Sequence, residues 1–117
     1  MFTSCFANLE RVAVPLSISG RAPSGYAGPQ FKVLAPKLGF YTDYKDGRID
    51  AAGYTAAFHA QVLAPLDPRQ IYDRLTRTYG ADVTLLCYEP PGAFCHRRLV
   101  AAWLEAALGV TVPELAP

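Results

Sequence analysis

The sequence predicts an α/β fold built on a mostly parallel sheet. Three observations carry this. Short β-prone segments come first, amphipathic helical patterns occupy the middle, and a wholly apolar strand feeds directly into a last helix. At 117 residues the chain reads as one domain, 1–117, large enough for a core without covalent staples.

Taken in order, residues 2–6 (Phe-Thr-Ser-Cys-Phe) are β-prone and form the first expected strand. Residues 11–19 form the second, and Pro15, which lacks a ladder donor, puts it at an edge or a bulge. Residues 20–29 hold Gly20, Gly25, Gly28, Pro23 and Pro29 and read as a loop; long loops in compact domains are often functional. Phe31, Leu34, Ala35 and Leu38 suggest a short helix closed by Gly39, with a polar turn from Asp43 to Gly47. A helix is expected from about Asp50, with Tyr54, Phe58 and Val62 as its buried stripe. Asp67-Pro68 starts another, with a capping carboxylate and Pro at the first helical position. It carries Ile71, Leu75 and Tyr79 on one face and stops at Gly80. Val83–Tyr88 is continuously apolar, as a strand buried on both faces must be. The last helix runs from about His96 to Leu108 and stops at Gly109, and Thr111-Val112 suggest a short edge strand.

Composition narrows the function. The net charge of +1 argues against general binding to duplex nucleic acid, which asks for a strongly basic face. Eight of the eleven cations are Arg, the cation suited to bidentate phosphate contacts. Three cysteines, an odd number, do not make a secreted disulfide scaffold. No signal peptide is visible, and no apolar run approaches the roughly 18 residues of a membrane span. The expectation is a cytoplasmic protein with reduced thiols and no membrane partner.

Residues 87–96 hold two of the three cysteines and one of the two histidines. Here the apolar strand ends in Cys87-Tyr88-Glu89, Pro90-Pro91-Gly92 turns the chain, and Cys95-His96-Arg97-Arg98 opens a helix. In an α/β protein the ligand site commonly lies where strands end and a helix N-terminus presents unpaired N–H groups. Arg97 and Arg98 add two charges there, so a phosphate is the natural occupant, and the same field favours a Cys95 thiolate. Cys95 is the candidate nucleophile and Cys87 the second; Glu89 or His96 would transfer the proton. Ser17, Ser19 and Arg21 leave the second strand toward the same rim, with Thr3, Ser4 and Cys5 from the first, and extend the phosphate-binding set. Tyr26, Phe40, Tyr41 and Tyr44 flank these loops and are candidates to stack on a base.

Other chemistries fit less well. The gap from Cys87 to Cys95 is wider than a zinc knuckle, and Cys95 and His96 are adjacent, so no metal site is expected from spacing. Cys95 and Arg97 are too close for a cysteine-phosphatase loop. No G-x-G-x-x-G or P-loop is present, and no cofactor is implied.

With these residues placed, the chain resembles the DUF488 family of small α/β proteins. Leu85-Leu86-Cys87-Tyr88-Glu89, then Phe94-Cys95-His96-Arg97-Arg98, then Trp103-Leu104 are similar to that family's "LLCyEk…fCHR…wl" signature. Weaker matches cover Ile18-Ser19 through Pro23, Leu34-Ala35-Pro36-Lys37, Tyr44-Lys45, Tyr54 and Leu63. Longer members carry an acidic "DVR" after the second strand, where this chain has Ser17-Ile18-Ser19-Gly20-Arg21 and no Asp. The resemblance implies a Rossmann-like, three-layer fold and a site around Cys87, Glu89, Cys95, His96 and Arg97. Two readings stay open: an enzyme acting on a nucleotide or nucleic-acid-derived phosphorylated substrate, short nucleic acid included, and a binding module that captures a phosphorylated small molecule or nucleotide without chemistry. A third assigns the residues to structure, with Arg97 and Glu89 locking strand to helix as an ion pair.

Overall fold

The computed structural model describes residues 1–116. Three parallel strands, β1 (Phe2–Cys5), β2 (Val14–Ser17) and β3 (Val83–Cys87), form an open sheet in the order β1-β3-β2. The register pairs Cys5 with Cys87 on one side of β3, and Leu16 with Leu85 and Ser17 with Leu86 on the other. All five residues of β3 are buried, which explains its continuous apolar run: it is central and covered on both faces. Because the strands are parallel, Cys5, Ser17 and Cys87 all end at one edge of the sheet.

Both outer strands have their free edges partly covered. The backbone of Ser17 bonds to Pro29 and Phe31, and Thr3 bonds to Pro113 and Leu115. Such pairing blunts an edge that would otherwise template aggregation. Pro15 lies in β2, an edge strand of the sheet, where its missing donor is tolerated. The edge strand expected at Thr111-Val112 does not form. The pairing slides along the chain to an isolated parallel bridge between Thr3 and Glu114, which brings the Glu114 side chain to Arg97 of the last helix.

The crossover from β2 to β3 contains α1 (Leu38–Lys45), α2 (Ala51–Phe58) and α3 (Pro68–Tyr79), and α4 (His96–Leu108) follows β3. Asp50 and Asp67 cap α2 and α3 by accepting from backbone N–H groups two or three residues on. A π-helical turn, His59–Leu63, extends α2 and keeps Val62 buried with Tyr54 and Phe58, as the stripe requires. Gly109 ends α4 in the left-handed conformation at φ 68°. The core gathers Leu16, Ile18, Phe58, Leu63, Leu75, Leu85, Val100 and Leu104 between sheet and helices.

Two elements differ from expectation. Residues 6–11 form a 3-10 helix, so β2 begins at Val14 and not at Arg11. The short helix expected before Gly39 is only a 3-10 turn, Lys32–Leu34. The α-helix starts at Leu38, runs through Gly39 and takes in most of the expected polar turn. Among the described residues no helix is long and apolar enough to cross a membrane.

Candidate functional site

The C-terminal edge of the sheet opens into a cavity of about 630 Å³. Ser19, Gly20 and Arg21 reach it from the end of β2, Cys87, Tyr88 and Glu89 from the end of β3, and Phe94, Cys95 and His96 from the start of α4. Leu38, Tyr41, Tyr44 and Lys45 of α1 and Tyr54 of α2 close the remaining side.

His96 is held by a single informative bond. Its Nε2 lies 2.8 Å from the Ile18 carbonyl oxygen. A carbonyl only accepts, so Nε2 carries the proton and Nδ1 is left with its lone pair. That lone pair faces Cys95 Sγ at 3.8 Å. Burial pushes the imidazole below its ordinary pKa of 6.5, against the opposing pull of the Ile18 carbonyl and Glu89. The ring is therefore neutral at neutral pH.

The sulfurs of Cys87 and Cys95 are joined as a disulfide, where reduced thiols were expected; only Cys5, also buried, is a free thiol among the described residues. Cys87 Sγ also accepts from Arg97 Nη1 at 3.0 Å.

Arg97 and Arg98, expected to hold a phosphate, do not line the cavity. Arg97 is 0% exposed. Its guanidinium bonds both carboxylate oxygens of Glu114, at 3.0 and 2.6 Å, and the Glu89 carbonyl at 2.8 Å. The expected Arg97–Glu89 ion pair is thus replaced: the acid is Glu114, and Glu89 contributes only its backbone oxygen. Burial pushes the Glu114 carboxyl up, but hydrogen bonds from Arg97 and Thr3 and the charges of Arg97 and Arg98 outweigh it and hold the group below its ordinary range. Arg98 bonds the Thr3 hydroxyl and the Val112 carbonyl, each at 2.8 Å, tying α4 to β1 and to the chain's end. Ser17, expected at the rim, is buried with its hydroxyl 3.0 Å from that of Ser19. Of the first strand, Thr3, Ser4 and Cys5 are buried and do not line the cavity.

The charge that does reach the cavity comes from Arg21, Lys45 and Glu89. Lys45 Nζ lies 3.7 Å from Glu89 Oε1, and both side chains keep solvent contact. The Tyr88 hydroxyl donates to the Arg21 carbonyl and so fixes the β2 loop against the β3 loop. Tyr44, Tyr54 and Phe94 form an aromatic triangle with centroids 5.2 to 5.5 Å apart, Tyr54 meeting both others edge-on. Burial, followed by the nearby Glu89, Tyr41 and Tyr44, raises the Tyr54 phenol well above the tyrosine range, so it stays an O–H donor. Tyr41 lines the cavity, whereas Phe40 joins the core and Tyr26 packs on Phe6 with its hydroxyl on the Pro29 carbonyl.

The structure thus brings together Cys87, Glu89, Cys95, His96, Ser19 and Arg21 of the expected set, and leaves out Ser17, Arg97 and Arg98. Lys45, Tyr54 and Phe94 were not singled out as site residues. The signal that marks them is the family pattern, matched weakly at Lys45 and Tyr54 and in the main signature at Phe94.

Comparison with known proteins agrees with the motif. The family model DUF488-N3a, described as the active DUF488-N3 subclade, matches residues 11–108, a stretch that includes every cavity residue named above. No curated protein and no solved structure matches the chain. The span of the family match and the placement of its signature cysteines, glutamate and histidine around one cavity establish that this chain belongs to the DUF488 family.

Proposed function

We propose that the chain is an enzyme acting on a nucleotide or nucleic-acid-derived phosphorylated substrate bound in this cavity. The observation that carries the reading is convergence. One cavity has an aromatic wall suited to a planar ring, two cations suited to an anion, and a carboxylate beside a cysteine–histidine centre. Tyr44, Tyr54 and Phe94 would contact the base, while Arg21 and Lys45 take over the phosphate role that the sequence suggested for Arg97 and Arg98. Glu89, released from Lys45 by the incoming anion, is placed to move a proton. The chemistry belongs to Cys87, Cys95 and His96.

The test is turnover of nucleotide substrates by Glu89→Gln. Loss of a positioned general acid or base costs about 10²–10⁴-fold in rate. The expected result is a kcat reduced on that scale with ligand affinity kept; unchanged kcat would refute the assignment of Glu89. One observation favours a second reading. While the Cys87 and Cys95 sulfurs are bonded to each other, neither is free to react, and the oxidised chain would be a binding module for the same ligands.

A further inference from the structure

We propose that reduced Cys87, Cys95 and His96 form a binding site for a single zinc-type divalent ion, with the ion's remaining position turned toward the cavity. Their ligand atoms all lie within 4.8 Å of one another and all three residues are buried. Tetrahedral zinc holds thiolate sulfur at about 2.3 Å and imidazole nitrogen at about 2.0 Å, which places such a pair about 3.6 Å apart. Cys95 Sγ and His96 Nδ1 are 3.8 Å apart.

The surroundings are those a metal site needs. The nitrogen facing the sulfurs carries the lone pair, because the other ring N–H is bound to the Ile18 carbonyl. Metal-binding histidines are oriented in this way by a backbone carbonyl or carboxylate. Arg97 donates to Cys87 Sγ, as an outer partner that favours the thiolate, and Glu114 neutralises that guanidinium. Two thiolates and one divalent cation then leave the buried centre near zero net charge.

The backbone also favours a shared ion. The Cα atoms of Cys87 and Cys95 are 7.4 Å apart. Disulfides usually span about 4.4–6.8 Å, whereas two thiolates meeting at one ion accommodate a wider separation. Knuckle spacing applies to ligands delivered by one tight loop. Here they come from a strand end and a helix cap. Cys95 is extended (φ −152°, ψ 144°) and His96 begins α4, and this break in conformation lets adjacent side chains converge. Three protein ligands and an open position mark catalytic zinc sites, not structural ones, and Glu89 lines the same cavity. An ion here would supply a bound water of pKa about 7 as the reacting group and make Cys95 a ligand.

The inference rests on the geometry of these three residues, and its test uses no substrate. The full chain, reduced with a phosphine under argon and freed of metal by a chelator, is titrated with Zn²⁺ and with Co²⁺. The expected result is a single ion per chain with a thiolate-to-cobalt charge-transfer band. Cys87→Ser, Cys95→Ser and His96→Gln should each weaken binding by more than the roughly 10–100-fold that loss of an outer partner costs. Cys5→Ser should bind like the wild type. Absence of binding by the reduced wild type, or undiminished binding by a folded Cys95→Ser, would overturn the proposal. If a ligand variant fails to fold, wild-type alkylation decides. Zn²⁺ should slow modification of Cys87 and Cys95 relative to Cys5, and three unchanged rates would be contrary.

Discussion

A guanidinium without solvent contact needs its charge matched, and Glu114 matches that of Arg97 with two hydrogen bonds. Removing one partner from a buried pair costs about 3–5 kcal/mol, because the survivor is left uncompensated. Glu114 keeps some water contact, so Glu114→Gln should fall toward the lower end of that range in urea denaturation. A loss below about 1 kcal/mol, the scale of an exposed pair, would show that Arg97 is not the clamp described. The same pair sets an acid limit. The folded Glu114 carboxyl titrates below its ordinary value of 4.5, so near that pH the unfolded chain binds more protons. Its stabilisation is complete above about pH 4.5 and is lost as pH falls through the depressed value. Stability measured against pH should decline there, and Glu114→Gln should remove that part of the decline.

At the scale of elements, strong local signals survive folding and weak ones yield. α3 is legible because Asp67, Pro68 and Gly80 are all boundary residues and Ile71 and Leu75 repeat at helical spacing. Asp67 accepts from Arg69 and Gln70, so Asp67→Ala should lower stability by about 0.5–2 kcal/mol, read from the thermal midpoint. No change would mean the cap contributes nothing. β3 and α4 were equally plain, since an unbroken apolar run and Gly109 admit few alternatives. α1 was misplaced for a physical reason: only Phe40 is buried in it and Leu38 is 78% exposed, so it has no apolar stripe to read. Gly39 stands in the first turn of the helix, where the roughly 1 kcal/mol cost of an interior Gly does not apply in full. The 3-10 segment 6–11 has no periodic signature. Within the site, Cys87, Glu89, Cys95 and His96 were legible because they are close in sequence. Lys45 was not, since α2, α3 and β3 separate it from Glu89 in the chain, and Arg97 was misread because its partner Glu114 lies beyond α4 and arrives by pairing with β1.

At the scale of the whole molecule, the cavity exists because β2 and β3 end at one edge of the parallel sheet and α1 and α2 close over that edge. Recognition and structure are therefore separable. Arg97 and Arg98 hold the scaffold, while Lys45 and Arg21 line the cavity. The Lys45–Glu89 pair is half exposed, so Lys45→Ala should change stability by less than about 1 kcal/mol. The most direct test is the thermal midpoint of wild type and Lys45→Ala with a panel of nucleotides, cyclic nucleotides and short oligonucleotides. A ligand at about 100 times its Kd stabilises by about 2.7 kcal/mol, which is several degrees for a domain of this size. The wild type should show such a shift, and a Lys45→Ala protein that melts normally without ligand should lose it. If no phosphate-bearing compound moves the wild-type midpoint, the cavity is not a site for a nucleotide.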